Sequence, residues 1–116
     1  MAIISVEGME FFAYHGCFAE EQIIGTKFLV DLFLEVNTTA AEQTDNLGDT
    51  VNYQAVYQVV KAEMEIKSKL LEHLARRILR RIQSEFPAVE GATIKVRKLN
   101  PPLGGKIDFV SVQLSL

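Results

Sequence analysis

The chain has 116 residues, 48% of them hydrophobic and 23% charged, with a formal net charge of −3. This composition predicts a single globular domain over residues 1–116, and it excludes a disordered chain and a protein built to bind nucleic acid. The one cysteine cannot form an internal disulfide, and no apolar run approaches the roughly 20 residues that cross a bilayer, so we expect a cytoplasmic protein.

The first third of the chain predicts two β-strands. Over residues 2–14 the apolar positions switch from even to odd at Gly8, which indicates a β-bulge. Over residues 28–36 every second residue is apolar, and the opposite face of this strand is half apolar. A solvated face is usually more polar, so we expect a partner subunit to cover part of it. Residues 17–25, between the strands, predict a loop.

Two helices follow a polar connection over residues 38–50. The first is predicted from about Tyr53 to Ile66, and the second from Leu71 to about Phe86, because apolar residues recur at helical spacing in both. A short charged linker joins them. Arg76, Arg77, Arg80 and Arg81 lie on the outer face of the second helix, which predicts a solvated arginine surface, with a phosphate-binding patch as the alternative.

Two more strands complete the predicted fold. The third begins near Ala92 and the fourth runs from Lys106 to Leu116, with a turn over residues 100–105 between them. The order strand, strand, helix, helix, strand, strand predicts an α+β fold of two layers, a four-stranded antiparallel sheet with two helices on one face. Such an open sheet has two bare edges, which oligomerisation can bury.

Lys98 is the most informative candidate for chemistry. It shares its strand face with Ile94 and Val96, which is the face that a two-layer fold buries. In a cavity, desolvation would lower the pKa of its ammonium into a range useful for proton transfer. The alternative is a lysine whose stem lies along the sheet edge while its charge reaches water.

Glu72 and Tyr53 each begin a predicted helix and each has two interpretations. Glu72 is either a carboxylate that interacts favourably with the helix dipole or one aimed into a pocket to bind a flat, nitrogen-rich ligand. Tyr53 is either a core or interface aromatic residue or part of the same site. His15 beside a glycine favours a hydrogen-bonded turn residue over a catalytic base. His15, His73 and Cys17 lack metal-ligand spacing, so no metal site is expected.

A set of short motifs covers nearly the whole chain. They are Gly8-Met9, Tyr14-His15-Gly16, Glu21 four residues before Gly25, Thr44-Asp45, Asp49-Thr50-Val51-Asn52-Tyr53, Leu71-Glu72, and Lys98 ahead of Asn100-Pro101-Pro102. Their order and spacing resemble those of the dihydroneopterin aldolases of folate biosynthesis. The resemblance implies the tunnelling fold, in which protomers join their sheets into a barrel and two barrels can stack into a homo-octamer. It implies active sites between subunits.

The resemblance also implies roles for individual residues. Glu72, with the backbone of Leu71, is similar to the anchor for the pterin ring, where a carboxylate can accept two parallel N–H bonds. Tyr53 is similar to an aromatic residue that reaches the pterin from the adjoining subunit. Lys98 resembles the catalytic acid and base, and Glu21 resembles the loop acid near the substrate side chain.

Glu20 adjoins Glu21, so either could be that loop acid. The implied reaction is the retro-aldol cleavage of 7,8-dihydroneopterin by an aldehyde-lyase. A dihydropterin carries a C=N bond beside the reacting side chain and is its own electron sink, so we expect no metal, cofactor or lysine Schiff base. The alternatives are an epimerase that acts at C2′ of dihydroneopterin or its triphosphate, and a non-catalytic pterin-binding oligomer. Nucleic acid and membrane are not expected partners.

Overall fold

The computed structural model describes residues 1–116, and its strands form one antiparallel sheet. The strands are β1 (Ala2–Ala13), β2 (Thr26–Val36), β3 (Val89–Leu99) and β4 (Phe109–Ser115), which lie in the order β1-β2-β3-β4. The helices are α1 (Ala19–Ile24), α2 (Thr39–Thr44), α3 (Tyr53–Met64) and α4 (Leu71–Glu85), with a 3-10 turn at Leu47–Asp49. No helix is long and apolar enough to span a bilayer.

The hydrophobic core lies between one face of the sheet and the two long helices. Even-numbered residues of β2 and β3 point into it because side chains alternate along a strand. Helix α4 contributes the apolar stripe that the sequence predicts. The side chains that are fully buried include Phe28, Leu32, Leu34, Val56, Leu74, Ile78, Leu79, Ile82 and Ile94. The two-layer α+β prediction is therefore confirmed for the sheet and for the long helices.

The loop predicted over residues 17–25 contains α1, so that prediction was wrong. The polar connection over residues 38–50 contains α2 and the 3-10 turn, which the sequence did not indicate. A helix of six residues is too short to show a helical period. The strand boundaries differ as well, since β3 begins at Val89 rather than near Ala92 and β4 begins only at Phe109.

The predicted arginine surface of α4 is only partly solvated. Arg77 Nη1 donates to Glu63 Oε1 at 2.6 Å, and Arg81 Nη1 donates to Glu63 Oε2 at 3.0 Å. The carboxylate of Glu63 is buried between the two long helices. A salt-bridge network therefore joins α3 to α4, and the expectation of a wholly solvent-facing arginine row was wrong for Arg77.

The predicted bulge in β1 is present. The register of β1 against β2 shifts between Val6 and Met9, and Gly8 has φ of +67°, a conformation that glycine adopts without a side-chain clash. The amide of Gly8 donates to Asp31 Oδ1 at 2.7 Å, and Arg97 Nη2 donates to the other oxygen of Asp31 at 2.5 Å. This carboxylate therefore holds the bulge against the centre of the sheet.

Candidate active site

Lys98 lies near the end of β3 with its side chain turned into the protein. Only 8% of it is exposed, because its strand position belongs to the face that the helices cover. Its Nζ contacts the carboxylate of Glu21 and donates to the backbone oxygen of His15 at 3.2 Å. The snorkelling alternative is therefore wrong, since the ammonium is bound by acceptors of the protein rather than by bulk water.

Two opposing effects act on the charge of Lys98. Burial lowers the pKa of its ammonium, because a desolvated charge is less stable than the neutral amine. The nearby Cys17 and the Glu21 carboxylate in contact with Nζ both oppose that shift, because a negative charge close by stabilises the ammonium. A lysine between these two effects can exchange its proton with a substrate, provided that the balance with the carboxylate is disturbed.

Gly16 makes room for the Glu21 side chain. A Cβ at Gly16 would lie 2.5 Å from Glu21 Cδ and 2.7 Å from Glu21 Oε1, closer than real carbon atoms approach. The backbone oxygen of Gly16 also accepts a hydrogen bond from Gln22 Nε2 at 2.9 Å, which holds helix α1 against the turn. The absence of a side chain at this position thus lets α1 bring Glu21 to Lys98.

An open cavity of about 220 Å³ lies beside the contact between Lys98 and Glu21. It is lined by Glu20, Glu21, Ile24, Gly25, Thr26, Lys98, Asn100 and Pro102. Of the two adjacent carboxylates, it is Glu21 that pairs with the lysine, whereas the Glu20 side chain is exposed at the cavity wall. Sequence reasoning left this choice open, because both residues lie in a segment with no readable period.

Asn100 and Thr26 line the cavity, and neither was predicted from the sequence to be a site residue. Asn100 adopts a left-handed conformation, with φ of 49°, and its amide donates to the Asp108 oxygen at 3.2 Å. Thr26 Oγ1 donates to the Leu99 oxygen at 3.2 Å, which joins the start of β2 to the end of β3. The signal available in the sequence was an asparagine ahead of two prolines, since asparagine tolerates positive φ in turns.

His15 is buried and neutral. Its Nδ1 accepts the amide hydrogen of Ser68 at 3.0 Å, and 1% of the residue is exposed. Burial lowers its pKa to about 4, although a Met64 backbone group opposes the shift, and Nε2 has no hydrogen-bond partner of ordinary geometry. These contacts favour the interpretation of His15 as a hydrogen-bonded turn residue over that of a catalytic base.

Glu72 lies in the first turn of α4 and is exposed. Its carboxylate makes no hydrogen bond or salt bridge within the chain, and no side chain caps the helix at Leu70. Leu71 packs partly against the core and so fixes the direction of this first turn. The start of α4 therefore presents a free carboxylate and uncapped backbone N–H groups to a ligand.

The turn that holds Lys98 also holds the segment leading into α4. The amide of Gly16 donates to the Ser68 oxygen at 3.0 Å, and Cys17 Sγ donates to the Lys69 oxygen at 3.4 Å. Residues 15–17 thus contact Lys98 on one side and residues 68–69 on the other. Within one protomer the structure connects Lys98 and Glu21 directly, and it connects Glu72 to them through this turn.

Within the protomer, Tyr53 does not line the cavity beside Lys98. It is the first residue of α3, where Asn52 caps the helix by accepting the Gln54 amide at 3.0 Å. Tyr53 is 67% exposed, so its interpretation as a core residue was wrong. An exposed aromatic ring at a helix start is available to a neighbouring subunit, which is the role that the resemblance implies.

The described residues contain no group of three or more histidine, cysteine, aspartate or glutamate side chains placed to hold a metal ion. His15 uses one ring nitrogen for Ser68, and His73 Nδ1 lies 3.1 Å from Ser68 Oγ. Cys17 is exposed and is the only thiol. The titratable groups that line the cavity are Lys98, Glu20 and Glu21.

Known proteins resemble this chain over nearly its whole length. The family model for dihydroneopterin aldolase matches residues 4–115. A dihydroneopterin aldolase of Staphylococcus epidermidis is 42% identical over 97% of this chain and 93% of its own length, and that of Bacillus subtilis is 42% identical over 97% and 94%. The E. coli dihydroneopterin aldolase in complex with neopterin has the same fold, with a TM-score of 0.92 at 20% identity over 100% of this chain and 99% of its own. The chain belongs to the dihydroneopterin aldolase family.

Proposed function

We propose that this protein is a 7,8-dihydroneopterin aldolase of folate biosynthesis. It would cleave the C1′–C2′ bond of the substrate and release 6-hydroxymethyl-7,8-dihydropterin and glycolaldehyde. The observation that carries the proposal is the buried contact between Lys98 and Glu21 beside an open cavity, in a chain of this family. Lys98 is the one cation that lines that cavity.

In the proposed mechanism Lys98 acts as the base through a water molecule. It removes the proton of the 2′-hydroxyl, the C1′–C2′ bond breaks, and the electron pair moves into the C=N bond of the dihydropterin ring. Glycolaldehyde leaves, and an enamine remains. Protonation of that enamine at C1′, with help from Tyr53, gives the product. Because the ring accepts the electrons, the proposal needs neither a metal nor a Schiff base on Lys98.

Glu72 is the proposed anchor of the pterin. Its carboxylate would accept two parallel N–H bonds from the amino-pyrimidinone edge, with the backbone of Leu71 as a further contact. Its lack of any partner within the chain supports this role. Neopterin in the related E. coli structure is a ligand of the matching chemistry.

We also propose that the active site is shared between subunits of a tetrameric or octameric ring. Three features support this assembly. Tyr53 is exposed, β1 and β4 are the outermost strands of the sheet, and the helix-free face carries Leu29 and Phe33. Tyr53 would then reach the pterin of the neighbouring protomer, and closure of the ring would pair the free strand edges.

The test is to incubate the purified protein with 7,8-dihydroneopterin and to measure glycolaldehyde and the C2′ epimer. Aldolase activity predicts the aldehyde in equal amount to the pterin product. An epimerase would give the epimer without the aldehyde, and a pterin-binding oligomer would give neither product. Each of these two outcomes would contradict the proposal.

Two substitutions separate chemistry from binding. Lys98→Ala is expected to abolish turnover while pterin binding persists, because the ring contacts lie at Glu72. Glu72→Ala is expected to weaken pterin binding by roughly 2–5 kcal/mol, the cost of an unpaired and desolvated partner. Calorimetry with neopterin measures binding for both variants. Normal turnover by the Lys98→Ala variant would exclude the mechanism.

A further inference from the structure

We infer that His15 is a positioning residue for Lys98, because the acceptor nitrogen of its buried imidazole fixes the backbone carbonyl that binds the Lys98 ammonium. The inference rests on the proposed function, in which Lys98 transfers protons. It assigns to the imidazole a task that is neither acid nor base. The side chain would affect the reaction only by fixing the position of its own backbone carbonyl.

The geometry places two hydrogen bonds around one turn. The Ser68 amide donates to His15 Nδ1 at 3.0 Å, and the Gly16 amide donates to the Ser68 oxygen at 3.0 Å. Between these two bonds lies the His15 carbonyl, whose oxygen accepts from Lys98 Nζ at 3.2 Å. A shift of the turn would therefore move that oxygen relative to the ammonium.

The ring also packs against the strand position that faces Lys98. The imidazole meets the Phe28 ring edge to face, with centroids 5.2 Å apart, and Phe28 is the β2 residue opposite Lys98 in the ladder. Since the imidazole is neutral at neutral pH, Nδ1 stays available as an acceptor. The imidazole is thus held from two directions, one polar and one aromatic.

Loss of this acceptor should affect catalysis more than pterin binding. Arg77 Nη2 donates to Ser68 Oγ at 2.9 Å and to the Ile66 oxygen at 2.8 Å, so the segment before α4 keeps an anchor of its own. The start of α4, which carries Glu72, then stays in place without the imidazole. The peptide that carries the His15 carbonyl keeps the Gly16–Ser68 bond but loses the side-chain bond of His15 itself, so the carbonyl is the group expected to shift.

The experiment compares His15→Leu with His15→Asn in the full-length protein. The two replacements have nearly the same shape, but asparagine can place Oδ1 where Nδ1 lies, whereas leucine has no acceptor. We expect His15→Leu to lower kcat by about tenfold to a hundredfold, as for a misplaced catalytic group, with the Kd of neopterin within about threefold of the parent. We expect His15→Asn to recover kcat to within about threefold of the parent.

Equal losses in both variants, no loss in either, or a loss of binding without a loss of kcat would each overturn the inference. If the leucine variant does not fold, His15→Gln repeats the test, because it is polar but carries its terminal amide beyond the Nδ1 position. It should lose kcat as leucine would. Unchanged kcat in that variant would overturn the inference in the same way.

NMR of isotope-labelled lysine, with Lys98→Met for assignment, separates this inference from the proposed function. The Lys98 signal should move in His15→Leu and stay in His15→Asn, whether or not the parent cleaves dihydroneopterin. An inactive parent with that pattern would overturn the proposed function and support the role of His15 in placing Lys98. If the parent is active and the Lys98 signal is the same in both variants as in the parent, the role of His15 is overturned and the proposed function stands.

Discussion

The charge of Lys98 depends on its burial and on nearby negative charge, which act in opposite directions. Burial alone lowers the pKa of its ammonium, and contact with the Glu21 carboxylate favours the charged form. A proton acceptor for the 2′-hydroxyl must be the neutral amine, so the acid limb of the kcat profile should report this balance.

Glu21→Gln should therefore move that acid limb to lower pH. Removal of the anion takes away one of the effects that oppose burial, so the pKa of Lys98 falls further and the neutral amine forms at a lower pH. The pH dependence of kcat measures the change. Glu20→Gln is the matched control, because Glu20 lines the same cavity without contacting Lys98. The acid limb of its kcat profile should lie at the same pH as that of the parent. A limb that moved to higher pH in Glu21→Gln would contradict the argument.

His15 should make the folded state sensitive to acid. Its pKa is about 4 in the folded protein and near 6.5 when unfolded, so between these values the unfolded chain binds more protons. Stability is then fully present above pH 6.5 and is lost as the pH falls toward 4, by roughly 3 kcal/mol. Urea unfolding of the parent and of His15→Asn across this range measures the difference. A parent curve parallel to that of the variant would refute the assignment.

At the level of single residues the sequence predicted Lys98 better than its partners. The inward position of Lys98 follows from the alternation of β3, which a single chain displays directly. The contacts of His15 with Ser68 and Lys98 join segments 53 and 83 residues apart. No local pattern encodes such pairs, so the hydrogen-bonded role of His15 could be suggested but its partners could not.

The two long helices are joined by a buried charge rather than by apolar contacts alone. The Glu63 side chain is 11% exposed and accepts from Arg77, which is 20% exposed, and from Arg81, which is 38% exposed. Arg77 also reaches the Ile66 oxygen and Ser68 Oγ, so the same network orders the segment that leads into α4. The arrangement of the helices and the turn at the active site are thereby linked.

Glu63→Ala should lower the free energy of unfolding by about 2–4 kcal/mol, because the partly buried guanidinium of Arg77 loses its anion. Arg81→Ala is the comparison, and its loss should be clearly smaller, since that arginine is more exposed and water can replace the contact. Urea denaturation with an unchanged m-value measures both. Equal losses in the two variants would contradict the argument that burial determines how much each ion pair stabilises the fold.

At the level of elements, length decided what could be predicted. Helices α3 and α4 and strand β2 are long enough for their apolar period to appear several times. Helices α1 and α2 have six residues each, and α1 brings Glu21 to Lys98 only because Gly16 has no side chain. Which glutamate contacts Lys98 therefore depends on a tertiary fit that the local sequence does not express.

The whole molecule presents one covered and one uncovered sheet face. A four-stranded antiparallel sheet with both long helices on one face followed from the sequence of elements, whereas the strand order β1-β2-β3-β4 is known only from the structure. Whether a second protomer covers the other face depends on complementary surfaces of two chains, so it does not follow from the pattern of one.

Subunit mixing tests whether the active site is shared. Lys98→Ala and Tyr53→Phe are each expected to have little activity, yet their co-refolded mixture should regain roughly a quarter of the parent's sites, since some interfaces then combine two intact residues. Glycolaldehyde release measures the recovery. The control is the same mixture before refolding, when subunits have not exchanged. A refolded mixture no more active than its components would place both residues in one protomer.

The bulge at Gly8 bears on how the proposed ring of subunits would be built. An outer strand without irregularities can slide by two residues along a neighbour and keep its pattern of inward and outward side chains. The Asp31 carboxylate prevents this in β1, because it fixes the Gly8 amide at one position of the sheet. Any strand added beyond β1 consequently meets a single alignment of donors and acceptors. Fidelity of assembly would then be determined inside each protomer, before two copies ever meet.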